Sequence, residues 1–211
     1  MTNIINMYYN YINKRYIIQV DGGEKVMIIG ICGKSGSGKT TLANEIINRF
    51  DNKGIHVDID KIGHDVYKYK EVREDIIKYF GKDIVINELV DRKKLGNIVF
   101  SSKEKMDILT NITWCYMEKE LNNIINENKD KIIILDWALL PKTKFFNMCD
   151  IKILLDIPYE IRKERAMLRD NISNDKFDLR EKNSLDYDVK LFDYVIKDNS
   201  KNEIKRLVKK L

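Results

Sequence analysis

The sequence predicts an α/β fold, a doubly wound five-stranded parallel sheet. Two observations carry most of that expectation. Continuous apolar runs at 26–32, 131–136 and 151–156 are apolar on both faces, as strands buried between two helix layers must be. Segments with apolar residues every three or four positions alternate with them, and that alternation marks a parallel sheet wound by helices.

The first 24 residues stand apart: Tyr8, Tyr9, Tyr11 and Tyr16 lie among Asn and Ile, and Asn, Lys and Arg interrupt the apolar runs. That pattern makes a poor signal peptide, and 1–24 is read as a flexible extension, with Met27 an alternative start. The domain proper is then 25–211. The strand at 26–32 runs into a glycine-rich turn, and Leu42, Ala43, Ile46, Ile47 and Phe50 place one apolar face on a helix over 41–50. Gly54 ends that unit and a second strand is expected at 55–59. Helices follow at 66–80, closed by Gly81, at 92–100, and within 103–128. Pro158 suits the first turn of a helix over 159–169. A fifth short strand at 193–197 and an amphipathic helix at 201–211 close the chain.

Composition narrows the function classes. Lys and Arg number 38 against 33 acids, a net charge of +5, and the lysines mostly alternate with Asp, Glu or Asn. So mild a bias suits an anionic small molecule such as a nucleotide and calls for no nucleic-acid partner. No apolar run approaches the ~18 residues that span a bilayer. Cys32, Cys115 and Cys149 lack metal-ligand spacing, and an odd count without a secretory signal points to a reducing cytoplasm. A cytoplasmic monomer without a membrane partner is the expectation.

The glycine-rich turn holds the strongest motif. Gly33-Lys34-Ser35-Gly36-Ser37-Gly38-Lys39-Thr40, followed by Thr41, matches G-x-x-x-x-G-K-S/T in full. Its glycines let the backbone N–H groups turn inward on phosphate oxygens, and the following helix adds the positive end of its dipole. Lys39 would reach the β- and γ-phosphates of ATP and the Thr40 hydroxyl would ligate Mg²⁺. Asp60-Lys61-Ile62-Gly63 has the D-x-x-G form of GTPases, but Asn52-Lys53-Gly54-Ile55 and Asn128-Lys129-Asp130-Lys131 both lack the last acid of the guanine-reading Asn-Lys-x-Asp.

Asp58 and Asp60 lie where the second strand is expected to end, the edge that faces the ligand crevice of such sheets. Alternate strand residues share a face, so both carboxylates are expected to look toward the site, one as base for an attacking hydroxyl and one to orient substrate or metal. Asp136 ends the third apolar run and resembles the acid that holds Mg²⁺ through water; Asp156 ends the next in the same way. Arg162, Arg165 and Arg169 fall on one helical face, with Arg180 beyond. They are read as a mobile basic segment that closes on the transferred phosphoryl group, or as a solvated face paired with Glu160 and Glu164.

The ordered set of motifs from Met27 onward resembles the dephospho-coenzyme A kinase family. The glycine-rich loop is followed by Asp58-Ile59-Asp60-Lys61-Ile62-Gly63-His64, Phe80-Gly81, Asp91-Arg92-Lys93-Lys94-Leu95 and Val99-Phe100. Then come Cys149-Asp150, Arg165-Ala166-Met167-Leu168-Arg169-Asp170, and Asp193-Tyr194-Val195-Ile196-Lys197-Asp198-Asn199. The resemblance implies transfer of the ATP γ-phosphate to the ribose 3′-hydroxyl of dephospho-coenzyme A, with Asp60 as base. It implies His64 and Arg92 beside Asp58 and Asp60 in substrate binding, and Arg165, Arg169 and Asn199 with the loop in ATP binding. It also implies a helical substrate-binding insertion at about 67–129 and a lid at about 158–185.

Some positions depart from that pattern. Trp114-Cys115 stand where the family usually shows His-Pro, and Ala138-Leu139-Leu140-Pro141-Lys142 replace Pro-Leu-Leu-Phe-Glu, exchanging an acid for a base. The loop itself is also similar to that of uridine kinase. All these departures are on the acceptor side, so the alternatives are a nucleoside or nucleoside-monophosphate kinase, or a nucleotide-binding protein without catalysis.

Overall fold

A computed structural model describes residues 6–10, 15–20, 23–50, 53–99, 102–198 and 200–211. In chain order the elements are β1 (Asn6–Asn10), β2 (Arg15–Val20), β3 (Gly23–Lys25), β4 (Ile28–Cys32), α1 (Lys39–Arg49) and β5 (Gly54–Asp58). Next come α2 (Ile59–Asp65), α3 (Lys70–Phe80), β6 (Val85–Ile86), β7 (Leu89–Val90), α4 (Arg92–Val99) and α5 (Lys103–Glu127). The chain closes with β8 (Ile132–Asp136), α6 (Lys144–Met148), β9 (Ile151–Leu155), α7 (Tyr159–Asp170), α8 (Asn174–Lys182), β10 (Tyr194–Ile196) and α9 (Lys201–Val208). They fall into two compact units, 1–58 with 128–211, and 59–127.

The first unit contains the expected five-stranded parallel sheet, in the order β10-β9-β4-β8-β5. β4 is central, and the chain moves from it first to one side and later to the other. Its carboxyl end therefore lies at the topological switch point, where ligands of open α/β sheets bind. Alternate residues explain the layers. Ile29, Ile31, Ile132, Ile134, Ile153 and Leu155 form one core with Leu42, Ala43 and Ile46 of α1 and Ile204, Leu207 and Val208 of α9. On the other face, a Cβ at Gly30 would lie 2.7 Å from Cys149 Sγ, so Cys149, just after α6, packs against bare backbone there. Cys32 and Cys149 are buried as small hydrophobes, and burial pushes the Cys32 thiol far above its ordinary range.

Some expectations change. Within the amino-terminal extension, read as flexible, β1, β2 and β3 form an antiparallel meander, with Asn6 opposite Gln19 and Ile18 opposite Lys25; Tyr and Ile favour strands. The second sheet strand ends at Asp58, one residue earlier than expected, and Ile59 opens a helix. Asp60 therefore lies in the first turn of α2, and the alternation argument that gave it a strand face shared with Asp58 does not hold. An acid in a first helical turn is favoured by the helix dipole, and fully buried Ile59 anchors that turn.

The second unit is helical. Buried Val72 and Ile76 of α3, Leu95 and Val99 of α4, and Leu109, Met117, Leu121 and Ile125 of α5 form its interior. The helix expected over 66–80 is interrupted: a short 3₁₀ turn covers Val66–Lys68, and Tyr69 is extended before α3. The β6–β7 hairpin turns through Asn87 and Glu88, both at positive φ (48° and 64°), which matches strand twist in a two-residue turn. Among the described residues no helix is long and apolar enough to cross a membrane.

Candidate active site

The site grows from the carboxyl end of β4. The loop after Cys32 reaches α1 at Lys39, with Gly38 as its N-cap at φ 92°. Gly36, at φ +79°, sits against α7, where a Cβ would come 2.2 Å from the Arg162 carbonyl oxygen. Left-handed backbone and this close approach both require glycine there. Ser37 N–H donates to the Lys34 carbonyl at 3.2 Å, which tightens the turn.

The two loop lysines differ. Lys34 Nζ lies 3.1 Å from Glu181 and 3.0 Å from Asp186. Lys39, half-buried in the first turn of α1, has no carboxylate partner among the described residues. A cation held at a helix amino terminus without a counter-charge fits an anion that arrives from solution.

Asp136 ends β8 and is opposite Asp58 in the β5–β8 register. Its side chain is buried, and Oδ2 accepts from the Thr40 hydroxyl at 3.1 Å and contacts His56 Nε2 at 3.1 Å. Thr40 and Asp136, each expected to hold Mg²⁺, are thus brought within hydrogen-bond distance of one another. His56 was missed; its signal was the two-residue spacing to Asp58 along β5, which puts both on one strand face. Asp156 lies one residue beyond β9, and its N–H donates to the Ile196 carbonyl at 2.8 Å.

The α7 arginines do not act as one set. Arg162 is buried, and its guanidinium grips Glu181 of α8 through two bonds of 2.8 and 2.9 Å. Its Nε donates to the Ile157 carbonyl at 2.8 Å, and Nη1 lies 3.4 Å from the Ser35 carbonyl of the loop. Its partner is thus Glu181, nineteen residues on, rather than neighbouring Glu160 or Glu164. Arg162 and Lys34 hold the Glu181 carboxyl below its ordinary range, against the opposing effect of burial. Arg165 and Arg169 are exposed. Arg169 donates to Asp170 at 2.7 Å, and that bond, with weaker pulls from Asp136 and Asp58, favours its charged form. Arg180 also pairs with Asp170.

Arg169, then Arg180, draw the Asp170 carboxyl down to about 2. A carboxylate depressed by folding adds stability that is present above its unfolded pKa of ~3.9 and is lost as pH falls toward the folded value. Asp170→Asn is therefore expected to melt a few degrees below the parent at neutral pH. In a pH series of melting temperatures, the gap should close between pH ~4 and about 2. A gap that stays constant down to the lower limit would show that Asp170 contributes through something other than its charge.

His64, Arg92 and Asp60 belong to the helical unit. Arg92 Nη1 donates to His64 Nδ1 at 3.1 Å, and its guanidinium lies 5.7 Å from the centre of the Tyr67 ring. Asn199 is outside the described residues.

Residues 27–203 match the dephospho-CoA kinase family. A dephospho-CoA kinase of Aquifex aeolicus is 39% identical over 178 residues, covering 82% of this chain and 88% of the relative. One from Fusobacterium nucleatum is 35% identical over 182 residues, covering 84% and 92%. Among solved structures, a Thermus thermophilus protein superposes with a TM-score of 0.73 at 23% identity, over 88% of this chain and 96% of that one; at that identity the likeness speaks for the fold. By its family match and by its relatives, the chain belongs to the dephospho-CoA kinase family.

Proposed function

We propose that this chain transfers the γ-phosphoryl group of ATP to the ribose 3′-hydroxyl of dephospho-coenzyme A, giving coenzyme A and ADP. The observation that carries the reading is the complete phosphate loop at the switch point, with the Thr40 hydroxyl bonded to buried Asp136, in a chain of this family. Loop N–H groups from Gly33 to Thr41 and the Lys39 ammonium would bind the triphosphate. Thr40 and Asp136 offer hard oxygen donors, the kind Mg²⁺ takes when it keeps waters and substrate phosphates as its other ligands. An ion held there would neutralise charge on the β- and γ-phosphoryl oxygens.

The acceptor oxygen attacks the γ-phosphorus in line, and the bond to the β–γ bridging oxygen breaks. Asp60 takes the proton from the 3′-hydroxyl, and Asp58 orients the acceptor. Residues 158–185 serve as the lid, where Arg165 and Arg169 stabilise charge on the transferred group. The helical unit, 59–127, binds the acceptor through His64 and Arg92.

An ADP-coupled assay across dephospho-coenzyme A, uridine, cytidine and the deoxynucleoside monophosphates tests the reading. Turnover of dephospho-coenzyme A with the highest kcat/KM is expected. Inertness toward it, with turnover of a nucleoside or its monophosphate, would replace it by that activity. Trp114 and Lys142 mark where such a change of acceptor would arise.

For the lid, Arg165→Ala and Arg169→Ala are each expected to lower kcat by about 10²-fold, and Arg169→Ala should also lose the part of the stability that its bond to Asp170 supplies. Loss of stability with an unchanged rate would make them structural groups.

A further inference from the structure

His56 has no part in the transfer chemistry assigned above, yet it touches an acid at the centre of the site. β5 and β8 run parallel, with His56 opposite Ile134 and Asp58 opposite Asp136. The imidazole therefore reaches diagonally, from one pair back along β5, to the carboxylate that ends β8. Its Nε2 lies 3.1 Å from Asp136 Oδ2, and most of the His56 side chain is buried. A carboxylate oxygen accepts and does not donate, so Nε2 carries a proton and donates it.

Thr40 donates to the same oxygen at 3.1 Å. Among the described residues no hydrogen bond falls on Oδ1 of Asp136. Two donors, one from the first turn of α1 and one from the neighbouring strand, thus fix the orientation of a buried carboxylate. Away from water the group needs such partners, and Asp58, directly opposite on β5, would repel it. The two donors are not equivalent. A hydroxyl hydrogen rotates to suit its surroundings, whereas the imidazole N–H is fixed in the plane of its ring. His56 is the rigid member of the pair.

We propose that His56 is a positioning residue for Asp136. It anchors Oδ2 and leaves Oδ1 for the Mg²⁺ that accompanies ATP, or for a water on that ion. The inference rests on the ATP site proposed above and adds a residue to it. Groups that orient a metal-binding carboxylate are typically worth about 10–100-fold in metal affinity or activity. Without the imidazole, Asp136 would keep its charge and lose its aim.

His56→Leu removes the donor, and His56→Val, which suits a strand, takes its place if the first does not keep the parental circular dichroism. His56→Gln is the rescue, because its amide nitrogen falls near the position of Nε2. Calorimetric titration with adenylyl imidodiphosphate, in Mg²⁺ and again in EDTA, gives the factor by which the ion tightens nucleotide binding. That factor should fall about tenfold or more in the apolar variant and return toward the parental value in His56→Gln. Affinity in EDTA should be the same in all three proteins, and kcat should follow the order of the metal factor. An unchanged factor in the apolar variant would overturn the assignment, and an equal loss in His56→Gln would make the imidazole a packing group. A raised KM for the acceptor with the metal factor intact would place His56 with Asp58 on the acceptor instead. If Mg²⁺ does not tighten nucleotide binding on the parent, the proposed ion site fails and this inference with it.

Discussion

Lys39→Ala is expected to lower kcat by about 10²–10³-fold or more with little change in melting temperature. Lys39 is in the first turn of α1, and that helix is held by fully buried Leu42, Ala43 and Ile46 on its other side. Its ammonium has no carboxylate partner among the described residues, so the folded protein forfeits little when it is removed. In the transition state the loss is large, because charge spreads over the transferred group in a site that already points backbone donors and a helix dipole at it. Lys34 makes the useful contrast: its ammonium is held by Glu181 and Asp186, so Lys34→Ala should disturb stability first. ADP production and thermal unfolding, measured on both variants, separate the two roles. Wild-type turnover by Lys39→Ala would remove the ATP-site assignment.

Asp60→Asn keeps the side chain's shape and removes its capacity to take a proton. A fall in kcat of about 10²-fold or more is expected, with KM for ATP nearly unchanged. If Asp60 is the base, the acidic limb of the kcat/KM profile should also flatten in the variant, because the group that must be ionised is gone. Asp58→Asn is the control. Asp58 ends β5 opposite Asp136, whereas Asp60 starts the next helix, so the two acids occupy different elements and need not share a role. A larger kcat loss in Asp58→Asn than in Asp60→Asn would move the base to the strand end.

That separation also shows what could be read from sequence. The strands at 28–32, 132–136 and 151–155 were legible because a strand buried between two helix layers has an unbroken apolar run, here bounded by turn signals and too short for a helix. The β5 end was not, since Ile59 satisfies a strand pattern and a buried first helical turn equally well, and periodicity over so few residues does not separate the two. The loop from Gly33 to Thr40 was legible residue by residue, as local backbone geometry dictates its glycines. The Arg162–Glu181 pair was not: spacing on α7 showed that three arginines share a side, but which of them turns inward depends on α8, whose sequence carries no periodic signal pointing back. His56 was hidden in the same way, because its partner Asp136 comes from another strand.

The grip of Arg162 on Glu181, on Ile157 and on the Ser35 carbonyl has a consequence for how variants of this enzyme behave. The helix that carries Arg165 and Arg169 shares its backbone with the wall against which Gly36 is packed. A lid that swung as a free flap from its first residue would have to drag the phosphate loop along or tear a buried guanidinium from its carboxylate. If residues 158–185 close as the proposed lid, movement would be confined to the stretch between Arg162 and Glu181, with the base of α7 as its post. Damage to that post, even from a residue as remote in sequence as Glu181, would present itself in kinetics as poor nucleotide affinity, with every loop residue intact.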